Sequence, residues 1–262
     1  MKLHRLFIML LCISFSLIAQ GCLSVGVYRT AEIMPEGEGD FTMTFTAVRV
    51  EGQETTDSNV DVDTGEVTTE VVQHDDTVLP NLVPELAYHI GVAEDVEVGG
   101  RIVIMGGLME LDVKYRFLGS TGDALQMAIQ PAIGYRALGV IEGLSASLPI
   151  ITTYNATDTI ALNVAPYLSY TDFTATDDSF TALGGSWLSA GGSVGIKVQG
   201  KTMYFMPQVE VSRMIQNLES DAGSSDSDST IVMFGVTVGF SEGREMSKLE
   251  DMDKKIDKLM EK

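Results

Sequence analysis

The chain has 262 residues, with 37 acidic side chains against 17 basic and a formal net charge of −20. That balance argues against nucleic acid as a partner, because phosphate binding needs a basic face. Only Cys12 and Cys22 carry thiols, which excludes a disulfide-stapled fold. After Cys22 no run reaches the roughly 18–20 apolar residues of a spanning helix, so crossing a membrane would require a closed barrel.

In chain order, Lys2 and Arg5 precede the apolar run Leu6 to Ile18, which ends in Ala19-Gln20-Gly21-Cys22. This is a basic n-region, an h-region and a small-residue cleavage site. It resembles the lipobox of bacterial lipoproteins. The resemblance implies a signal peptide over residues 1–21, cleavage before Cys22, and diacylglycerol and acyl lipid on the Cys22 thiol. Leu23 rather than aspartate follows, which resembles lipoproteins carried to the outer membrane by the sorting machinery. Residues 22–39 are then expected to be a lipidated tether. The lipid apart, no cofactor is expected.

From residue 40 to residue 240 the chain alternates in short segments separated by polar or Gly-rich breaks. The pattern predicts ten strands near 40–50, 81–91, 95–105, 108–118, 124–136, 147–155, 159–171, 187–198, 202–213 and 230–240. Their lengths suit tilted strands that cross a bilayer. The even-numbered breaks are short, and of the odd ones 51–80, 137–146, 172–186 and 214–229 are long. Membrane barrels have this asymmetry, with short periplasmic turns and long outer loops. The expected fold is all-β: an antiparallel up-and-down transmembrane barrel of about ten strands, with both chain ends periplasmic. Pro84, Pro131, Pro166 and Pro207 interrupt four strands and predict bulges or later strand starts.

One face of each strand is large and apolar, as in Met109, Leu111, Val113, Tyr115 and Phe117. Its aromatics collect near strand ends: Phe41, Tyr88, Tyr115, Phe117, Tyr154, Phe205 and Phe240 toward one rim, Tyr135 and Tyr170 toward the other. Aromatic girdles mark a lipid-facing surface. The opposite face is small and polar. Its charges are Glu85, Glu97, Glu110, Asp112 and Glu210 against Arg101, Lys114, Arg116, Arg136 and Lys197. This balance predicts a lumen filled by paired ions, since lone buried charges are costly. Arg49 and Arg213 fall on the lipid face at the outer ends of the first and ninth strands, where they could hold one lipid phosphate.

Gly91-Val-Ala-Glu-Asp-Val-Glu-Val-Gly99, Leu111-Asp-Val-Lys-Tyr-Arg-Phe117 and the Pro-x-apolar-x-Tyr strands resemble a loose group of bacterial outer-membrane β-barrel proteins, many of them lipoproteins without assigned activity. Ile231 to Phe240 resembles the terminal strand that barrel-assembly machinery recognises, although 22 residues follow it. The resemblance implies outer-membrane lipid and lipopolysaccharide as surroundings.

Residues 51–78 hold nine acidic residues and no Lys or Arg. Asp61, Asp63 and Glu66 are a weak calcium candidate there, with a glycine misplaced for an EF-hand. His89 lies near Glu85 on the lumen face, an acid–base pair without an accompanying nucleophile. Residues 241–262 carry Met246, Leu249, Met252, Ile256 and Leu259 at helical spacing. An amphipathic helix there would pair with copies of itself through residues 244–262, lie on the inner leaflet, or pack on the periplasmic mouth. The leading expectation is a non-enzymatic barrel with a structural or small-solute permeability role. A surface binding or adhesion protein using the acidic loops and a lipid-anchored soluble lipid-binding barrel are the alternatives.

Overall fold

A computed structural model describes residues 27–50, 54–60, 67–73, 77–104, 106–138, 141–175, 185–219 and 230–241. Cys22, the calcium candidate Asp61, Asp63 and Glu66, and the expected helix from residue 242 onward lie outside the described residues.

Every regular element described is a strand: β1 (Gly39–Val50), β2 (Glu54–Val60), β3 (Val67–Gln73), β4 (Thr77–Ala93), β5 (Val96–Val103), β6 (Leu108–Leu118), β7 (Leu125–Ile129), β8 (Ala132–Leu138), β9 (Ile141–Asn155), β10 (Ile160–Ala175), β11 (Gly185–Gln199), β12 (Met203–Glu219) and β13 (Thr230–Ser241). Neighbours pair antiparallel in sequence order, and β1 pairs with β13 to close the ring. β7 and β8 are two halves of one stave, both laid between β6 and β9. The barrel therefore has ten staves, as expected. β2 and β3 pair only with each other and form a hairpin within the first long connection.

The prolines act in two ways. Pro131 sits at the break between β7 and β8, and Pro84 lies beside the register shift between β1 and β4. Pro166 and Pro207 remain inside continuous strands. There the ladder to β9 or β11 skips the proline without changing register, which is what a missing donor requires. One expected loop is absent: residues 137–146 are mostly strand, since β8 runs to Leu138 and β9 begins at Ile141.

The faces are those of a protein turned inside out. Leu111 is 69% exposed and its cross-strand partner Ile133 is 61% exposed. Glu97, Lys114, Gln126 and Asn163 are fully buried on the inward face. Tyr88, Phe41 and Phe240 sit side by side across β4, β1 and β13, one arc of the expected girdle. A continuous apolar exterior around a charged interior has no place in water and matches a hydrocarbon-facing wall.

Candidate functional site

The lumen holds a segment of the chain itself. The sequence places residues 27–38 in the lipidated tether, but residues 27–34 run inside the barrel and 35–38 lie at its mouth. Val27, Tyr28, Arg29, Ala31 and Ile33 are all buried. An eight-stranded barrel is just filled by side chains, so ten staves leave extra room. This peptide takes up that room.

The segment is fastened at both ends and in the middle. At the short-turn mouth, Gly37 N–H donates to the Gly91 carbonyl (2.8 Å) and Gly91 N–H donates to the Glu38 carbonyl (3.0 Å). Gly91 must be glycine here, because a β-carbon would collide with the carbonyls of Met34 and Pro35. Further in, Lys114 Nζ donates to the carbonyls of Thr30 (3.2 Å) and Glu32 (2.7 Å). Ala31 N–H donates to Thr153 Oγ1 (2.8 Å), and Asn163 Nδ2 donates to the Arg29 carbonyl (2.8 Å). At the inner end, Gln208 Nε2 (3.1 Å) and Ser193 Oγ (3.4 Å) both donate to the Val27 carbonyl. A buried peptide must satisfy its backbone groups, and these wall side chains take up the carbonyls of Val27, Arg29, Thr30 and Glu32 and the Ala31 N–H.

Charge completes the attachment. Arg29 pairs with Glu97 and stands 3.4 Å from Asp40. Glu97 also pairs with Lys114 (3.2 Å) and accepts from the Met34 N–H (3.2 Å). Glu32 reaches Lys197 at 2.7 Å. Arg29 donates to His89 Nδ1. A guanidinium can only donate, so Nδ1 is the acceptor and the ring proton sits on Nε2, which donates to Asp112 (2.9 Å). Gln130 donates to the other Asp112 oxygen (2.7 Å).

The ten wall charges expected in the lumen all face inward, but their partners differ in part. Arg101 bridges Glu85 (3.3 Å) and Glu110 (3.1 Å). Glu85 therefore belongs to Arg101, and the expected acid–base pair with His89 is replaced by His89–Asp112. Glu210 accepts from the Tyr167 hydroxyl. Arg136 lies over the Phe173 ring at 5.0 Å. Arg116 is at the short-turn end, held by Asp95 (2.8 Å) from the neighbouring turn. Sequence reading missed Arg29, Glu32 and Asp40, all near the N-terminus. For Arg29 and Glu32 the signal was the composition of Val27-Tyr-Arg-Thr-Ala-Glu-Ile33, which lacks the Gly/Ser character of a flexible tether.

At the short-turn mouth an opening of about 350 Å³ lies between Glu32, Asn155, Lys197 and Gln199, and deeper in the lumen the space is small. A cavity of about 40 Å³ lies between Tyr28, Arg29, Glu85, His89, Arg101 and Asp112, room for water at most. Outside the barrel, Arg49 is opposite Val232 and Arg213 opposite Thr230, on either side of β13. Strand spacing and rise put their Cα atoms roughly 12 Å apart on one exposed face. No grouping of three metal-ligating side chains occurs among the described residues.

No protein-family model and no curated protein sequence matches the chain. Solved structures that align with it include the outer membrane protease OmpT of Escherichia coli (6% identity, 81% of this chain and 100% of that one, TM-score 0.37). Neisserial surface protein A aligns at 8% identity over 76% of this chain and 96% of its own, with TM-score 0.35. The attachment invasion locus protein of Yersinia pestis aligns at 11% identity over 79% and 100%, with TM-score 0.31. These likenesses are remote. The barrel described above stands on its own strand ladder and faces.

Proposed function

We propose that this protein is a bacterial outer-membrane barrel whose lumen is closed by its own N-terminal segment, and that it works as a non-catalytic scaffold presenting long loops at the cell surface. The observation that carries this reading is the peptide 27–38 lying across the lumen, tied by Arg29, Glu97 and Lys114. A diffusion channel needs an open water column, and this segment occupies it. The acid–base candidate of the sequence, His89, lends no support to a catalytic reading. His89 has both ring nitrogens engaged, by Arg29 and Asp112, beneath the segment.

Under this reading the short turns face the periplasm and the long connections face outward, following the general asymmetry of such barrels. Cys22 carries the lipid anchor. Arg49 and Arg213 bracket a lipid phosphate at the outer rim, the forked donors of arginine suiting that geometry.

The test is reconstitution of the full mature chain into planar bilayers, with heat-modifiable gel mobility as the check on folding. Folded protein that stays electrically silent is the expected result. A steady open current from the unaltered chain would overturn the closed-scaffold reading, and complete release by alkaline carbonate would overturn membrane insertion.

A further inference from the structure

We infer that His89 is an acid-sensitive latch on the lumen peptide: on taking up a proton at Nδ1 it must release Arg29 and bond Asp40 instead, which loosens residues 27–34 from the wall. This deepens the closed-lumen reading and rests on it.

The closed state of the latch is set by donor and acceptor roles. Arg29 donates to Nδ1, and Nε2 donates to Asp112. A guanidinium carries donors only, so this arrangement exists only while Nδ1 is bare. A proton there would set donor against donor and cation against cation. The Asp112 bond would survive, since Nε2 donates in both forms of the ring. The ring is buried and stands against Gly99, where any β-carbon would overlap it. It therefore has little room to turn away from Arg29, and Arg29 is the group that must move.

A second acceptor is already in place. Asp40 is the direct cross-strand neighbour of His89, on β1, and both side chains are buried. Asp40 Oδ2 accepts from the Tyr204 hydroxyl (3.2 Å) and stands 3.4 Å from Arg29. Asp40 Oδ1 is buried without a hydrogen-bond partner among the described residues. Directly opposed side chains have β-carbons about 5 Å apart, which brings Nδ1 within reach of that oxygen. An unsatisfied buried acceptor is costly, and the protonated ring would satisfy it. The same residues thus support two arrangements, one that grips Arg29 and one that does not.

The surrounding charge allows the second arrangement. Asp40 faces the ring from β1, Glu85 from its own strand β4, Glu97 and Arg101 from β5, Glu110, Asp112 and Lys114 from β6, and Arg29 from the peptide. Carboxylates outnumber cations in that group, so an added proton is opposed by its contact with Arg29 and not by the site as a whole. Once released by His89 and Asp40, Arg29 would keep only Glu97, which Lys114 shares. The peptide's remaining ties would be hydrogen bonds to its backbone and the Glu32–Lys197 pair.

The proton is taken up on release, so falling pH favours the loosened peptide. A histidine in water titrates near pH 6.5. Closure is therefore at full strength above about pH 6.5 and weakens below it with a slope of one proton per opening.

The test is hydrogen exchange of the folded mature chain in detergent, from about pH 7.5 to about pH 5.0, read by mass spectrometry on residues 27–34. An unstructured reference peptide corrects for the intrinsic pH dependence. The expected result is corrected exchange that starts to rise near pH 6.5 and reaches about thirtyfold at pH 5.0, while β9 to β12 stay protected. His89→Gln, whose amide can accept from Arg29 and donate to Asp112 but takes no proton, should stay protected throughout. His74→Gln should respond like the unaltered chain. An equal rise in His89→Gln overturns the latch. So does, in the unaltered chain alone, a rise below about threefold, a rise that starts only below about pH 5 where carboxylates titrate, or a simultaneous loss of protection in the wall. Residues 27–34 protected at pH 7.5 without an acid response would leave the closed lumen standing and remove the latch. Residues 27–34 unprotected at pH 7.5 would overturn both.

Discussion

Lys114 and Glu97 stand directly opposite each other on β6 and β5, their charged atoms 3.2 Å apart, and neither is exposed to solvent. Each also reaches the lumen peptide: Lys114 through two carbonyls, Glu97 through Arg29 and the Met34 N–H. The pair is thus a shared anchor between wall and peptide. Its arrangement explains how two buried charges are accommodated inside a narrow barrel.

Lys114→Met is therefore expected to weaken the peptide more than the wall. Removing one member of a buried ion set costs about 3–5 kcal/mol. The variant should still fold and shift on heating, but unfold at lower temperature in detergent. It should also show intermittent current in planar bilayers where the unaltered chain is silent. An unchanged unfolding midpoint together with continued silence would refute the anchoring role.

Gly91→Val attacks the same closure by shape. The added side chain meets the Met34 and Pro35 carbonyls, which are backbone and cannot rotate away. The hydrogen bonds joining Gly91 to Gly37 and Glu38 should be lost. Faster amide exchange over residues 31–38, with β9 to β12 unchanged, is the expected signature by mass spectrometry. Equal exchange in both proteins would count against the contact.

Most of the wall was legible in the sequence, and the lumen peptide was not. Period-two alternation reports a two-faced strand directly, so Leu111 against Asp112 or Ile133 against Gly134 could be assigned to faces without coordinates. Of the balanced charges, Arg101 pairs with Glu85 and Glu110 and Lys114 with Glu97, whereas Arg116 and Lys197 pair with Asp95 and Glu32 outside that set. Alternation says nothing about a peptide that pairs with side chains instead of strands, so Arg29 and Glu32 were assigned to a tether. Residues 137–146 contain Gly139 and Gly143 and look like a loop in the sequence. In the structure Gly143 lies within β9, where a β-carbon would meet the Asp172 carbonyl and the Phe173 ring. The β2–β3 hairpin was hidden in an acidic stretch, although Val67-Thr-Thr-Glu-Val-Val-Gln73 carries strand-forming residues.

Leu111→Arg tests the outer face. Leu111 is 69% exposed in mid-strand on β6, and an arginine at the bilayer midplane costs about 2–4 kcal/mol in barrels of this kind. Refolding into lipid vesicles should lose that much stability in denaturant titration. Thr157→Arg, in the short turn between β9 and β10, should change little. Equal effects at the two positions would mean that Leu111 does not face hydrocarbon.

The hairpin β2–β3 provides the last test, because among the described residues its two strands pair only with each other. Val50 and Thr77 are direct cross-strand partners at the top of β1 and β4. Residues 51–76 between them can therefore be replaced by Asn-Gly, the two-residue turn that antiparallel neighbours favour. The shortened protein should keep its unfolding temperature, its heat-modifiable mobility and its electrical silence, since β2 and β3 pair only with each other. Any surface binding that depends on this acidic extension should disappear with it. A drop in barrel stability would show that the hairpin packs on the barrel and helps hold it closed. It would then count as part of the scaffold and no longer as a display element carried above it.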